Sequence, residues 1–422
     1  MPSIQNSTQV STPNQSIVLP EPSVSDKQHS QHLKEKIIEK IHDQAGKISF
    51  EQYMQMALYE TGLGYYSAGS RKFGAEGDFI TAPEISPVFS QVLAIQSRQI
   101  LEQLKKNKIN GDILEFGAGS GKMALAIMLY LEEQSALPDN YYILDLSADL
   151  IDRQKHYIYE NLKALGKVDL YDRFKWLDHL PRDFNGVMLA NEVLDAMPTR
   201  IIKINNEKLY ERFVGTDELT NKFIWIDEET NDKPLNSYQA LIKELFSQGL
   251  TRESYEQSCY ITEVNTQAQT WVKSIAEVLN AGAIILIDYG YTEKEYFHPQ
   301  RNMGTLMCHY RHHSNDDPFY FPGLQDITAH VNFSDVKRVA ELQQLDLQGF
   351  TTQAHFLMSG GLQELSESFD LNDNIKLAQL SQQIKRLTLP NEMGELFKVI
   401  CFSKQIDKPI SGFDFINMKD KL

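Results

Sequence analysis

The sequence predicts an α/β fold: a parallel sheet with helices on both faces. Short apolar segments alternate with segments of helical period through most of the chain, the pattern of repeated strand-helix units. One such segment, Ile113-Leu114-Glu115-Phe116, runs through Gly117, Gly119 and Gly121 into a helix-forming stretch. With 422 residues, 42% of them hydrophobic, the chain can also bury a sizeable core.

Taken in order, residues 1–30 are rich in Ser, Gln, Asn and Pro and hold few large apolar side chains. They are expected to form a disordered tail, because too little surface can be buried to offset the entropy of ordering. From His32 to Leu63 apolar residues recur at helical spacing, with a break at Gly46 and a restart capped by Ser49, which predicts two amphipathic helices. The glycine-rich stretch 61–86 is expected to be a long loop, and Ser86-Pro87 opens the next helix. Seven strands follow, at 112–116, 141–146, 174–177, 186–191, 283–289, 348–356 and 397–403. Two stretches interrupt the alternation: 200–226 reads as β-hairpins with an Asn205-Asn206 turn, and 290–334 is long and aromatic. Both follow strand ends, where open α/β sheets bind ligands, so both are expected to roof the site. The expected division is a tail (1–30), a helical segment (31–110), a sheet domain (111–405) with insertions at about 199–260 and 290–335, and a C-terminal tail (406–422).

A formal net charge of -16 argues against a broad electrostatic grip on nucleic acid and favours a basic or small-molecule partner. Cys259, Cys308 and Cys401 lie far apart, which suggests neither a disulfide framework nor a metal knuckle and fits a reducing setting. No apolar run approaches the roughly 20 residues of a membrane span. The first arginine is Arg71, unlike an Arg-rich transit peptide, so a cytoplasmic, bacterial-type location is expected.

Three ligands compete for the glycine loop. A P-loop would need glycine where Phe116 stands and a hydroxyl where Met123 stands, so it fails. A dinucleotide fingerprint would need a third glycine at Lys122. The observed spacing, GxGxG, suits an adenosyl ligand without a pyrophosphate, with Asp145 at the end of the next strand accepting from both ribose hydroxyls. Ser147 is the better cap for the following helix, which leaves that carboxylate for the ligand. The expected cofactor is S-adenosyl-L-methionine.

Several segments together resemble the MidA-like S-adenosylmethionine-dependent methyltransferases, a family that includes a mitochondrial complex I assembly factor that methylates arginine. They are Gly77-Asp78-Phe79-Ile80-Thr81-Ala82-Pro83-Glu84-Ile85-Ser86, the glycine loop, Ala190-Asn191-Glu192-Val193-Leu194-Asp195-Ala196-Met197-Pro198, Ile287-Asp288-Tyr289-Gly290-Tyr291, and Asp317-Pro318 through Gly323 to Asp326-Ile327-Thr328-Ala329-His330-Val331. Where the family carries Pro and Arg in the loop and Glu after the second strand, this chain has Ala118, Ser120 and Asp145. The resemblance implies a Rossmann-like class I methyltransferase sheet with its last strand antiparallel, and a segment holding Asp78 and Glu84 that covers the cofactor. It also implies a protein substrate, such as a respiratory-complex subunit. The oligomeric state is left open, a homodimer among the options.

Methyl transfer needs alignment and exclusion of water more than covalent help. A guanidinium acceptor calls for carboxylates, and Glu192 and Asp195, three apart after the fourth strand, are the first choice. Glu192 could instead cap a following helix. Asn191 is expected to meet the cofactor's amino group. Asp288 joins the catalytic set, flanked by Tyr289 and Tyr291 whose faces could stabilise a cation, although a plain buried strand end fits too. Among His309, Arg311, His312 and His313 the HxxHH spacing lacks supporting ligands, so no metal is expected, and His309, Arg311 and His330 are read as lining the acceptor cleft. Glu263 reads as a substrate contact or a cap. A catalytically silent assembly factor and a methyltransferase of small molecules or nucleic acid are the competing functions; the presence of both Glu192 and Asp195 speaks against the first.

Overall fold

The computed structural model describes residues 19–68, 81–247, 259–367 and 374–422. Helix α1 (Val24–Asp43) begins inside the expected tail. Ser23 and Asp26 form a reciprocal capping box that satisfies the first amide groups, and Leu33, Ile37 and Ile41 bury one stripe. Composition alone hid that cap; residues 1–18 lie outside the described residues. Strand β1 (Lys47–Ser49) leads into α2 (Phe50–Tyr59), capped by Ser49 as expected. After the short α3 (Ala82–Ile85), Ser86 accepts from the Val88 amide and opens α4 (Pro87–Lys106).

All seven expected strands are present and form one sheet. Strands β2 (Asp112–Phe116), β3 (Tyr141–Leu144), β4 (Phe174–Leu177) and β5 (Phe184–Asn191) are parallel neighbours in the order β5-β2-β3-β4. Between β5 and the rest of this sheet the chain builds β6 (Arg200–Asn205), β7 (Lys208–Thr216), β8 (Phe223–Glu229) and β9 (Cys259–Val264), which with β1 make a second, antiparallel sheet. The β6–β7 turn has Asn206 and Glu207 at φ 50° and 62°, so the left-handed pair falls one residue later than expected. Strand β10 (Leu279–Tyr291) then returns beside β5. The aromatic insertion carries β11 (Met307–Tyr310), β12 (His313–Asn315) and β13 (Asp326–Thr328) in a small sheet, and β14 (Val331–Asn332) pairs with the end of β10. Strands β15 (Asp346–Thr352) and β16 (Phe397–Lys404) complete the main order β15-β16-β10-β5-β2-β3-β4, with β16 antiparallel to both neighbours. This is the class I methyltransferase arrangement. β15 ends sooner than expected because Thr352 caps the helix Gln353–Leu357, and a short apolar run does not distinguish strand from helix.

Side chains of β10 alternate between two apolar layers. Ala283, Ile285 and Ile287 pack with residues of α4, α5 (Lys122–Glu133) and α6 (Ala148–Ala164). Ile284 and Leu286 pack on the opposite face with Val272 and Phe333. Burial on both faces is why these strands read as nearly unbroken apolar runs. The C-terminal stretch 406–422 is no loose tail: Ile410 and Phe413 are buried, the Phe413 ring fills the space over Gly349, and the Met418 amide donates to the Phe350 carbonyl at 2.6 Å. Its few apolar residues are spaced to anchor a strap, which composition does not reveal.

Candidate active site

Beyond the C-terminal edge of the main sheet opens a cleft of about 670 Å³. At one end the glycine loop turns with Gly117, Gly119 and Gly121 at φ 62°, 52° and 82°, values at which a side chain is strained. The Gly117 amide donates to the Leu144 carbonyl at 3.0 Å, and a side chain there would press on Val193. Gly117 and Gly119 line the cleft, whereas Gly121 caps α5 and lies against Ile158 of α6; its role is helix packing rather than the expected cofactor contact.

Asp145 follows β3 and lines the cleft. One of its carboxylate oxygens accepts from the Ser147 amide at 3.0 Å and the other from Gln154 Nε2 at 2.9 Å, while the Ser147 hydroxyl caps α6 as expected. Burial raises the proton affinity of this carboxyl. Gln154 also donates to the Gly119 carbonyl at 3.1 Å and accepts from Trp176 Nε1 at 3.0 Å, so one buried glutamine fixes Asp145 against the glycine loop. Sequence reasoning missed it; the available signal was a polar residue at helical spacing with the buried Ile158 and Leu162. Leu146, Leu150 and Leu180 supply an apolar wall beside Asp145.

Glu84, on α3, accepts hydrogen bonds from the Ser120 hydroxyl and the Lys122 ammonium, and so ties its segment onto the glycine loop. Asp78 lies outside the described residues. Glu115 forms part of the floor, fully buried and accepting from Tyr141 at 2.7 Å; burial pushes its carboxyl up to about 8. An acid between Leu114 and Phe116 of an apolar strand was the sequence signal for it.

At the other end stand Asn191, Glu192 and Asp195. Glu192 does not cap a helix. It adopts φ 54°, its amide bonded to the Ile287 carbonyl at 2.9 Å, and its carboxyl accepts from Asn191 Nδ2 at 2.9 Å as well as from the Ala82 amide and Tyr289. Burial and the neighbouring Asp195 charge raise this carboxyl to about 8. Asp195 is buried, held well above the usual carboxylate range by burial, Asp288 and Asp326. Its Oδ1 has no hydrogen-bond partner among the described residues, and neither does Asn191 Oδ1. Two buried acceptors left unmatched in a cleft point to a missing donor-bearing ligand. Asp326 and the tyrosines Tyr59 and Tyr66 complete this end, with Tyr66 donating to Asp326 Oδ2 at 3.1 Å and Tyr59 to the Ala196 carbonyl at 2.9 Å. Tyr289, His309 and His330 also line the cleft. Burial, with Arg301 nearby, lowers the His330 imidazole to about 4, so it is neutral at pH 7.

Other expected site residues stand outside the cleft. Asp288 lies beneath the turn after β5, where its Oδ2 accepts from the Leu194 amide at 2.9 Å and the Asp195 amide at 3.2 Å; it positions the turn and does not line the cleft. Glu263 is turned away and holds the Thr305 and Leu306 amides at 2.8 and 3.2 Å. Thr305 in turn accepts from the His330 amide at 3.1 Å. Tyr291 is sandwiched between the His330 ring, 5.0 Å away, and the Arg301 guanidinium, 4.1 Å away. Arg311 and His312 are the two left-handed residues of the β11–β12 hairpin, and Arg311 pairs with Asp26 of α1 at 2.8 Å. The HxxHH spacing is thus a hairpin turn, and its arginine faces the N-terminal helix because the turn reverses the chain.

The residues fit S-adenosyl-L-methionine. The glycine loop lets backbone approach, Asp145 offers acceptors to vicinal hydroxyls, the leucines suit a flat base, and the unmatched Asn191 oxygen suits an amino group. A family model of S-adenosyl-L-methionine-dependent methyltransferases matches residues 92–351. The chain is 26% identical to the mitochondrial protein arginine methyltransferase NDUFAF7 of Danio rerio over 92% of each chain, and 24% identical to the Caenorhabditis elegans homologue over 82% of this chain and 80% of that one. Among solved structures, a Burkholderia thailandensis protein crystallised with S-adenosyl-homocysteine is 36% identical, covers 96% of this chain and 100% of its own, and superposes with a TM-score of 0.86. Glycine loop, strand order and cleft therefore agree with these matches: the chain belongs to the MidA-like family, and it is an S-adenosyl-L-methionine-dependent methyltransferase.

Proposed function

We propose that the acceptor is the guanidinium of an arginine side chain in a protein. The observation that carries this reading is the buried, unmatched Asp195 Oδ1 in the same cleft as Glu192 and the glycine loop. A guanidinium brings both the charge and the donors that such a site lacks. The arginine methyltransferase names of the relatives support it.

The bound cofactor supplies a methyl group on a sulfonium. Gly117, Gly119 and Asp145 hold it, with Glu84 keeping the covering segment on the loop. Asp195 pairs the planar cation and keeps its charge on one side, so that the far nitrogen can become nucleophilic. Glu192, whose carboxyl is already poised near neutrality, takes the proton that this nitrogen loses. Tyr59, Tyr66 and Met197 wall the acceptor end and keep water from it.

A cytoplasmic location is proposed from the scattered cysteines, which fit a reducing setting. Respiratory-complex subunits are the first acceptors to assay, in keeping with the assembly factor in the family. The test incubates the protein with isotopically labelled S-adenosylmethionine and an extract from cells lacking it, then maps the label by mass spectrometry. Label on arginine is expected. Label confined to another residue type, or to nucleic acid, would overturn the reading.

A further inference from the structure

Asp326 appears in the sequence as one acid of a longer motif, yet the fold brings it to the acceptor end of the cleft. We propose that Asp326, carried on β13 and held by Tyr66, is the second carboxylate of the acceptor pocket and forms with Asp195 a two-carboxylate seat for one guanidinium. This inference rests on the reading of the acceptor as arginine.

The argument begins with donors. A guanidinium presents five N–H groups in a plane, and a single carboxylate can pair with two of them. In a buried pocket the remaining donors need acceptors too. Glu192 already accepts from Asn191, the Ala82 amide and Tyr289; Asp326 accepts from Tyr66 at Oδ2 and from the Ile327 amide at Oδ1, 3.0 Å away, and a carboxylate offers about four acceptor positions in all. Asp195 and Asp326 are both buried and both line the cleft, although one follows β5 and the other lies in the aromatic insertion. Three ties hold these segments together. The Ala329 amide donates to the Asp195 carbonyl at 2.9 Å, Tyr59 bonds the Ala196 carbonyl, and Tyr66 bonds Asp326. The Tyr59 and Tyr66 rings stack 5.5 Å apart with 21° between their planes, so the two tyrosines act as one clamp from the N-terminal segment. Two carboxylates held near one another in a dry pocket repel, and the Asp326 charge is one cause of the raised proton affinity of Asp195. A single cation lying between them removes that repulsion.

The test uses the full-length protein saturated with S-adenosyl-homocysteine and titrated with N-acetyl-arginine-N-methylamide or its lysine counterpart, with affinity read by NMR chemical shifts. The arginine probe is expected to bind in preference to the lysine probe. Asp326→Asn should weaken arginine binding by about tenfold or more and Tyr66→Phe, which removes only the positioning hydroxyl, by about threefold. Asp326→Glu should recover part of the loss. Affinity for S-adenosyl-homocysteine, measured by calorimetry, should stay within about twofold in all three. If Asp326→Asn binds the arginine probe like the parent while Asp195→Asn does not, the seat excludes Asp326 and the arginine reading survives. If the parent itself fails to prefer arginine over lysine, the arginine reading falls and the inference with it. Should Asp326→Asn lose the cofactor as well, Tyr66→Phe decides: unchanged arginine affinity in that variant overturns the proposal.

Discussion

Glu192 combines two costly features, a left-handed backbone and a carboxyl raised to about 8. A non-glycine residue at positive φ costs about 1–2 kcal/mol, and it persists only where surrounding bonds hold it, here the Ile287 carbonyl and the Asp288 carboxylate that anchors the Leu194 and Asp195 amides. Such strain directs the side chain into the cleft instead of onto the helix side. Glu192→Gln keeps the shape and removes the group that takes the proton, so cofactor binding should be unchanged while methyl transfer falls by a factor on the order of a hundred. Asp195→Asn should act in the same direction but less severely, and the two effects should not add if both carboxyls act on one acceptor. Transfer assays with labelled cofactor decide it; a parent-like rate in Glu192→Gln would remove that residue from the mechanism.

Two elements carry consequences of their own. In the glycine loop, Gly119 has φ 52° and lines the cleft, so Gly119→Val adds backbone strain of about 1–2 kcal/mol and puts methyl groups where the ligand must approach. Calorimetry should find S-adenosylmethionine binding abolished in a variant that still folds, and in the parent NAD should bind at least about a hundredfold more weakly than the sulfonium cofactor, for want of the third glycine. The C-terminal strap makes the opposite kind of contribution. Phe413 packs on Phe356 at a ring distance of 5.4 Å and fills the space above Gly349, and Gln96 accepts from the Gly412 amide at 2.8 Å. Phe413→Ala should cost about 3–5 kcal/mol in denaturant unfolding, with cofactor affinity of the folded protein intact. A loss below about 1 kcal/mol would mean the strap only rests on the surface.

At the scale of the molecule, buried acids set the response to pH. Glu115 and Glu192 are each raised from 4.5 to about 8, so the folded protein holds protons that the unfolded chain has released. Their contribution is fully present below the unfolded value and is lost as pH rises through about 8. Thermal stability should therefore decline between about pH 5 and about pH 9, and Glu115→Gln, which cannot ionise but still accepts from Tyr141, should flatten part of that decline. An unchanged slope in Glu115→Gln would show that this carboxyl is ionised in the folded state throughout. The cleft itself is also a property of the whole chain, since its walls come from α2 and the turn after it, the main sheet and the aromatic insertion.

What the amino-acid sequence determined by itself was local and periodic. The seven strands, the Ser49 and Ser86 caps and the glycine turn are each encoded within a few residues, because strand alternation, capping and positive φ are short-range physics. The pairing of Gly117 and Gly119 with Asp145 was legible for the same reason, as they end adjacent strands of one unit. Tertiary structure decided which carboxylate meets which partner. Asp288, Glu263 and Glu192 look alike in sequence, each an acid at or just past a strand end, yet the first two bind distant backbone amides and only the third opens to the cleft. Asp326, Gln154 and Tyr66 entered the site, and Arg311 left it, through contacts spanning from 35 to 285 residues of sequence separation. A side chain's role at such a site depends on the donors and charges that long-range packing sets around it, and no local pattern records those.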